Sequence, residues 1–187
     1  IEGPNCYGML NYLDGVALWP DEHGCRRVNR GVAILCQSGN IAVNLTMHQR
    51  SLPIAYMITL GNQAQLGVSE FIDAMLDDQR ITAIGILIEG INNVSKFSEV
   101  AIKALQKGIP IIAIKSGVTS AGAAITASHT STLSGSDDHY SAFFDRYGIY
   151  RCLSLTSFIE ALKLVHFSGV LNGNKIVSLS CSGGEAA

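Results

Sequence analysis

The sequence predicts an α/β protein built on a parallel sheet with helices on both faces, and two observations carry that expectation. Short apolar runs alternate with segments of helical periodicity, and each run closes in a small polar or glycine-containing loop. Most runs are apolar on successive residues rather than on every second one, as strands covered on both faces are. Composition agrees. Of 187 residues, 48% are hydrophobic and 15% charged, against a usual ~25% charged. That is apolar material enough for one sizeable core, and it argues against disorder.

In chain order, a polar stretch over 11–30 is expected to be irregular and connecting. Strands are expected at 31–37, 54–60, 83–89, 111–115, 149–152 and 175–181. Helices fall between them, beginning with one near Asn40. Ser69 is the expected N-cap of a helix over 70–76, with Glu70 in its first turn. Ser95 is expected to cap 96–106, where Phe97, Val100, Ala101, Ala104 and Leu105 share a face and Gly108 with Pro110 ends the run. Ser136 precedes a helix over 137–147 that Gly148 stops. Ser154 or Thr156 precedes another over 158–167, closed by Gly169. Strands alternating with helices of ~10–15 residues imply right-handed βαβ units. The expected fold is a flavodoxin-like three-layer sandwich.

Charge and composition exclude several classes. Thirteen basic against fifteen acidic residues leave a net charge of −2, and the only clustered basics are Arg26, Arg27 and Arg30, so no nucleic-acid partner is expected. A membrane span needs ~20 apolar residues; the longest runs here, such as 83–88, are strand-sized, and no signal peptide is read at the start. The five cysteines (Cys6, Cys25, Cys36, Cys152, Cys181) form no CxxC pair and read as thiols of a reduced, cytoplasmic protein. No metal site is expected. The chain opens without Met in a Gly3-Pro4-Asn5 turn and stops just after the last expected strand, so it reads as a piece of a longer protein. A mean hydropathy of +0.28 suggests faces that neighbouring domains or a second subunit cover.

In an open parallel sheet, ligands bind outside the carboxyl ends of the strands. The loops there read Gln37-Ser38-Gly39-Asn40, Gly61-Asn62-Gln63, Glu89-Gly90-Ile91 and Lys115-Ser116-Gly117. The first has two readings. Free N–H groups at a helix start, with the Ser38 hydroxyl and a glycine that admits an oxyanion, make a phosphate site; the same residues also make an ordinary tight turn capped by serine. Of the five histidines, His23, His48, His139 and His166 read as surface or core filler. His129 lies in a nearly uncharged segment of small residues over 121–135, where backbone and ligand can approach closely. A neutral imidazole there can attack a phosphoryl group, since its unperturbed pKa of ~6.5 leaves it largely unprotonated near neutrality. It needs a carboxylate to orient its other ring nitrogen. Glu89, closing an otherwise apolar strand, is the candidate; the alternative is an exposed strand-end residue.

Gly3-Pro4-Asn5-Cys6-x-Gly8, Gln37-Ser38-Gly39, Leu60-Gly61-Asn62, Glu89-Gly90-Ile91, Lys115-Ser116-Gly117, Ser128-His129-Thr130 and Leu133-x-Gly135-Ser136-Asp137 occur in this order. The ordered set resembles the NDP-forming acyl-CoA synthetases, relatives of succinyl-CoA synthetase and the ADP-forming acetyl-CoA synthetases. The likeness runs from about Gly3 to Gly184. It implies a succinyl-CoA synthetase-like flavodoxin domain over 31–170. Residues 1–30 are then the tail of a CoA-binding domain with its connecting segment, and 171–187 the start of a following flavodoxin-like domain. It implies the reaction acid + CoA + NTP ⇌ acyl-CoA + NDP + phosphate, through an acyl phosphate and a phosphohistidine.

Coenzyme A and NTP/NDP with Mg2+ are implied as substrates of the complete enzyme, with no cofactor tightly bound to these residues, which alone are expected to be inactive. A carboxylic acid and phosphate, an ATP-grasp domain or subunit, and a homo-oligomeric assembly complete the implied partners. By position, the resemblance makes His129 the phosphoryl carrier and Glu89 the residue that steadies it. Ser38 and Gly39 become the phosphate-holding loop. Asn5 and Cys6 fall where the CoA thiol end and acyl group belong, and Gly61 and Asn62 line the same cleft; Cys6 is expected to be a spectator. One departure is Ser131, where the family commonly has Gly. A rival reading is a CoA-sensing regulatory module of a protein acetyltransferase, which has no need of a nucleophile. A generic receiver or flavin binder would need strand-end acidic clusters or aromatic flanks, and neither is evident.

Overall fold

In the computed structural model, which describes residues 3–24, 26–119, 122, 137–175 and 177–186, each expected run between 31 and 152 forms a strand. The strands are β1 (Met9–Asn11), β2 (Val16–Leu18), β3 (Gly31–Cys36), β4 (Ile54–Thr59), β5 (Ile81–Ile88), β6 (Ile111–Lys115) and β7 (Tyr150–Arg151). They form one sheet in the order β2-β1-β4-β3-β5-β6-β7. From β4 to β7 the neighbours pair in parallel, and β1 runs antiparallel to both β2 and β4. The helices are α1 (Gly39–Thr46), α2 (Val68–Met75), α3 (Val94–Gln106), α4 (Asp137–Arg146), α5 (Leu155–Ser168) and a short α6 (Gly183–Ala186).

Two apolar layers sandwich the sheet, and the side-chain period of two assigns residues to them. Ala33 and Leu35 of β3, with Ile84, Ile86 and Ile88 of β5, pack with α2, α3 and α4 through Ile72, Phe97, Val100 and Phe144. Val32, Ile34 and Cys36 of β3, with Ala83 and Leu87 of β5, pack with α1 and α5 through Leu45, Phe158 and Leu162. Every side chain of β3 is buried, which is why its sequence does not alternate. Gly85 sits where α5 crosses β5: a Cβ there would lie 2.6 Å from Cζ of Phe158 and 2.9 Å from Cδ1 of Leu162. The parallel sheet flanked by helices is the expected sandwich.

Several elements differ from expectation. The first half of the supposedly irregular 11–30 stretch belongs to a hairpin at the sheet edge, with Leu10, Tyr12 and Leu13 buried. Its turn is made by Asn11, whose side-chain oxygen accepts from the N–H groups of Leu13 and Asp14 at 3.0 Å each. Three-residue strands are too short to show a period. At the other end, the strand expected over 175–181 is not formed among the described residues. Val177 and Leu179 are 86% and 96% exposed, and a strand without a neighbour has no ladder to hold it.

Two caps also move. Helix α2 begins at Val68, with buried Ser69 inside it rather than capping it. The first N–H groups are met instead by Oε1 of Gln63, which accepts from Val68 at 2.9 Å, and by Oε2 of Glu70, which accepts from Gly67 at 2.8 Å. Helix α3 is capped by Asn93, which accepts from the Lys96 N–H at 3.0 Å, not by Ser95. Ser154 caps α5 as expected. Ser136 lies outside the described residues.

Candidate functional site

The carboxyl ends of β3, β4, β5 and β6 put the four expected loops on one edge of the sheet. After β3, the Ser38 hydroxyl accepts from the N–H of Ile41 at 3.3 Å and so caps α1. The N–H groups of Gly39 and Asn40 stand in the first turn, where a helix lacks internal acceptors. Gly39 lies under Tyr7, and a Cβ on it would come within 3.1 Å of the ring. A side chain there would have to push the Tyr7 ring aside by a few tenths of an ångström. The neighbouring Cys36 thiol donates to the Ser38 carbonyl at 3.1 Å, and burial pushes its pKa up to about 12, so it is no nucleophile.

Asn5, Cys6, Gly61 and Asn62 are brought together. Asn5 donates through Nδ2 to Oδ1 of Asn62 at 3.0 Å, and the Asn62 N–H donates to the Pro4 carbonyl at 3.0 Å. Gly61 has φ +52°, and a Cβ on it would lie 2.4 Å from the Pro4 oxygen and 2.6 Å from the Cys6 nitrogen. Only glycine allows that crossing. Thr59 holds the same segment by accepting from the N–H groups of Tyr7 and Gly8 at 2.6 and 2.7 Å.

Glu89 is the first residue past β5, which ends at Ile88. It is half-buried, and its Oε2 atom is shielded from solvent. Its backbone N–H and that of Gly90 both donate to Oε1 of Gln37, the latter at 3.1 Å. From the other side, Nε2 of Gln63 donates to the Gly90 carbonyl at 3.2 Å.

Beyond Glu89 lies a charged group whose loop the sequence reading quoted without giving the residue a role. Lys115 ends β6 buried, donates to the Ser116 carbonyl and stands 4.8 Å from the Tyr140 ring centroid. Burial holds its ammonium below the usual lysine range, while Asp137 and Glu89 act in the opposite sense. Arg151, at the end of β7, pairs with Asp137 at 2.5 Å and donates to the Ser141 hydroxyl. The Tyr140 hydroxyl accepts from the Ile91 N–H at 3.1 Å. A cation at the end of a buried strand was the available signal for Lys115.

His129 and Ser131 lie outside the described residues. In the chain they lie between β6, which ends on this edge at Lys115, and α4, which starts at Asp137 beside Arg151. His166, by contrast, is far from this edge: its Nδ1 lies 2.8 Å from the Thr82 hydroxyl, near the amino ends of the strands. An open cleft of about 870 Å³ at that end is lined by Arg30, Asp78, Thr82, Lys107 and His166. It gathers the carboxyl ends of helices and brings no candidate residue together. Among the described residues no group of His, Cys, Asp and Glu has metal-binding geometry, and no helix is long and apolar enough to cross a membrane.

Residues 29–165 match the family described as the succinyl-CoA ligase like flavodoxin domain. The chain is similar to the ADP-forming acetate–CoA ligase of Methanocaldococcus jannaschii, 30% identical over 98% of this chain and 26% of that protein. It is also 30% identical to the alpha subunit of the ADP-forming acetate–CoA ligase II of Pyrococcus furiosus, over 98% of this chain and 40% of the subunit. The solved structure of a dinucleotide forming acetyl-coenzyme A synthetase 1 from Ca. Korarchaeum cryptofilum, in complex with phosphate and ADP, superposes with a TM-score of 0.78 at 28% identity, over 91% of this chain and 37% of that one. The chain thus spans well under half the length of these relatives. With a matched domain covering most of its length and the sheet order described above, the chain belongs to the succinyl-CoA ligase like flavodoxin domain family.

Proposed function

We propose that these residues form the phosphohistidine-carrying part of an NDP-forming acyl-CoA synthetase. One observation carries the reading. The two elements that flank His129 in the chain, β6 ending at Lys115 and α4 starting at Asp137, meet on the edge that holds Glu89 and the start of α1, and Lys115 there feels both Glu89 and Asp137. The relatives' names, all acid–CoA ligases or synthetases, support the ligase reading over a regulatory module.

In the mechanism, phosphate displaces CoA from acyl-CoA to give an acyl phosphate. A ring nitrogen of His129, lone pair free, attacks the phosphorus, and the bond from phosphorus to the acyl oxygen breaks, releasing the carboxylate. Glu89 accepts the hydrogen bond of the other ring N–H and stabilises the charge that the imidazole gains. The N–H groups at the start of α1, beside Ser38 and Gly39, steady the transferring oxygens. Phosphohistidine then yields its phosphoryl group to NDP with Mg2+ on an ATP-grasp domain or subunit. Holding the group covalently divides one transfer into two easier ones. Asn5, Cys6, Gly61 and Asn62 form the side of the cleft that takes the thiol end of CoA and the acyl group. The cysteine thiols among the described residues suit a reducing cytoplasm, and the whole enzyme is read as a homo-oligomer.

The complete protein incubated with γ-labelled NTP is expected to take up an acid-labile label that chases into NTP on addition of NDP. Label persisting in His129→Ala refutes the assignment.

A further inference from the structure

We infer that Gln37 and Gln63 are positioning residues, a two-sided clamp on Gly90 that fixes where the Glu89 carboxylate stands; this rests on the role proposed above for Glu89. Both glutamines are more than nine-tenths buried, at 7% and 6% exposure, in a core that is otherwise almost wholly apolar. Leaving a buried amide without hydrogen bonds is costly. Oε1 of Gln37 and both ends of Gln63 are bonded, three of those bonds fall on the Glu89-Gly90 turn, and Nε2 of Gln37 has no hydrogen-bond partner among the described residues. Gln37, from the end of β3, accepts with Oε1 from the N–H groups of Glu89 and Gly90. Gln63, from the loop after β4, donates with Nε2 to the Gly90 carbonyl. The N–H and the C=O of Gly90 are therefore held by two different strand ends.

The amide orientations follow from the chemistry. Two N–H donors face one end of Gln37, so that end must be oxygen. The Val68 N–H faces one end of Gln63 at 2.9 Å and the Gly90 carbonyl faces the other, so oxygen and nitrogen are again assigned. The anchors are firm. The Gln37 N–H donates to the Leu87 carbonyl at 2.9 Å, and Nδ2 of Asn92 donates to the Gln63 carbonyl at 3.2 Å. Gln63 also holds φ +52°, which a non-glycine residue keeps only when its surroundings dictate it. Because β3 lies between β4 and β5, Gln63 reaches past one strand to seize the turn of the next. Such an investment at a Glu-Gly turn is what a carboxylate needs if it must orient an imidazole from a different segment, since site geometry has to be held within about half an ångström.

The test is a double-mutant cycle in the complete enzyme, reading the rate of phosphoenzyme formation from labelled NTP. Gln37→Met and Gln63→Met remove the clamp at nearly constant volume; Gln37→Asn and Gln63→Asn, too short to reach Gly90, are a milder pair should the first unfold. Each is expected to slow phosphoryl uptake by about tenfold or more, as misplaced groups do, with KM for NTP within about twofold of wild type. In a Glu89→Gln background the same substitutions are expected to cost less than about twofold, because residues acting through one group are not additive. Losses that multiply in full, with Glu89→Gln itself impaired, overturn the clamp alone. A Glu89→Gln enzyme that phosphorylates at the wild-type rate overturns the role of Glu89, and the clamp with it.

Discussion

Thr82 has a single hydroxyl proton and two neighbours: the Gly31 carbonyl at 3.1 Å and Nδ1 of His166 at 2.8 Å. Burial, and secondarily Arg30, hold the His166 imidazole below the usual histidine range. The folded state therefore binds its proton less readily than the unfolded chain. Stability from this group is complete above the unfolded value of ~6.5 and is lost as pH falls through the lower folded value. Thermal unfolding is expected at a lower Tm at pH 5.5 than at pH 8, with a shallower drop in His166→Gln; equal drops in the two proteins contradict it. Individual residues were unevenly legible. Ser38 is readable as a cap because a serine before a helix has few other uses. Gln37 and Gln63 are not, because a buried glutamine has no period and no motif; its partners come from strands about 50 and 30 residues away in the chain.

At the level of elements, strands were read better than helix starts, and for a physical reason. A strand between two apolar layers is written in its own residues, as Gly31–Cys36 and Ile111–Lys115 are. A helix start is decided by whichever oxygen reaches the first N–H groups, and that oxygen can come from a loop. Gln63 supplied it for α2, and Asn93 outcompeted Ser95 for α3. Along the shared face of these two helices, Lys96 pairs with Glu70 at 2.8 Å, and Lys103 and Lys107 pair with Asp73 and Asp77 at 2.6 Å each. Such exposed pairs contribute only ~0.2–1 kcal/mol each, so the cap is at least as important as any one of them. Asn93→Ala is expected to cost about 1 kcal/mol in urea unfolding, while Ser95→Ala costs no more than a few tenths. A larger loss from Ser95→Ala would return the cap to the serine.

Across the whole molecule, one strand links packing to the candidate site. β5 lies between β3 and β6, contributes side chains to both apolar layers, and delivers Glu89 at its end. Its Gly85 weakens the strand locally yet makes room for Phe158 and Leu162, so α5 can lie close against the sheet. The sequence shows a glycine inside an apolar run, but not which helix needs the space, because that depends on α5, some seventy residues further on. Gly85→Ala forces a methyl within 2.6 Å of the Phe158 ring. Overpacking of this kind costs about 1–3 kcal/mol, and because the two residues touch, a second change at Phe158 should interact with it. Phe158→Leu alone leaves a void beside Gly85 and is destabilising. In the double variant the new methyl fills part of that void, so the combined loss in urea unfolding is expected to fall well short of the sum. Full additivity would mean that α5 simply moves outward to admit the methyl, and the glycine would then have no packing reason to stand four residues before Glu89.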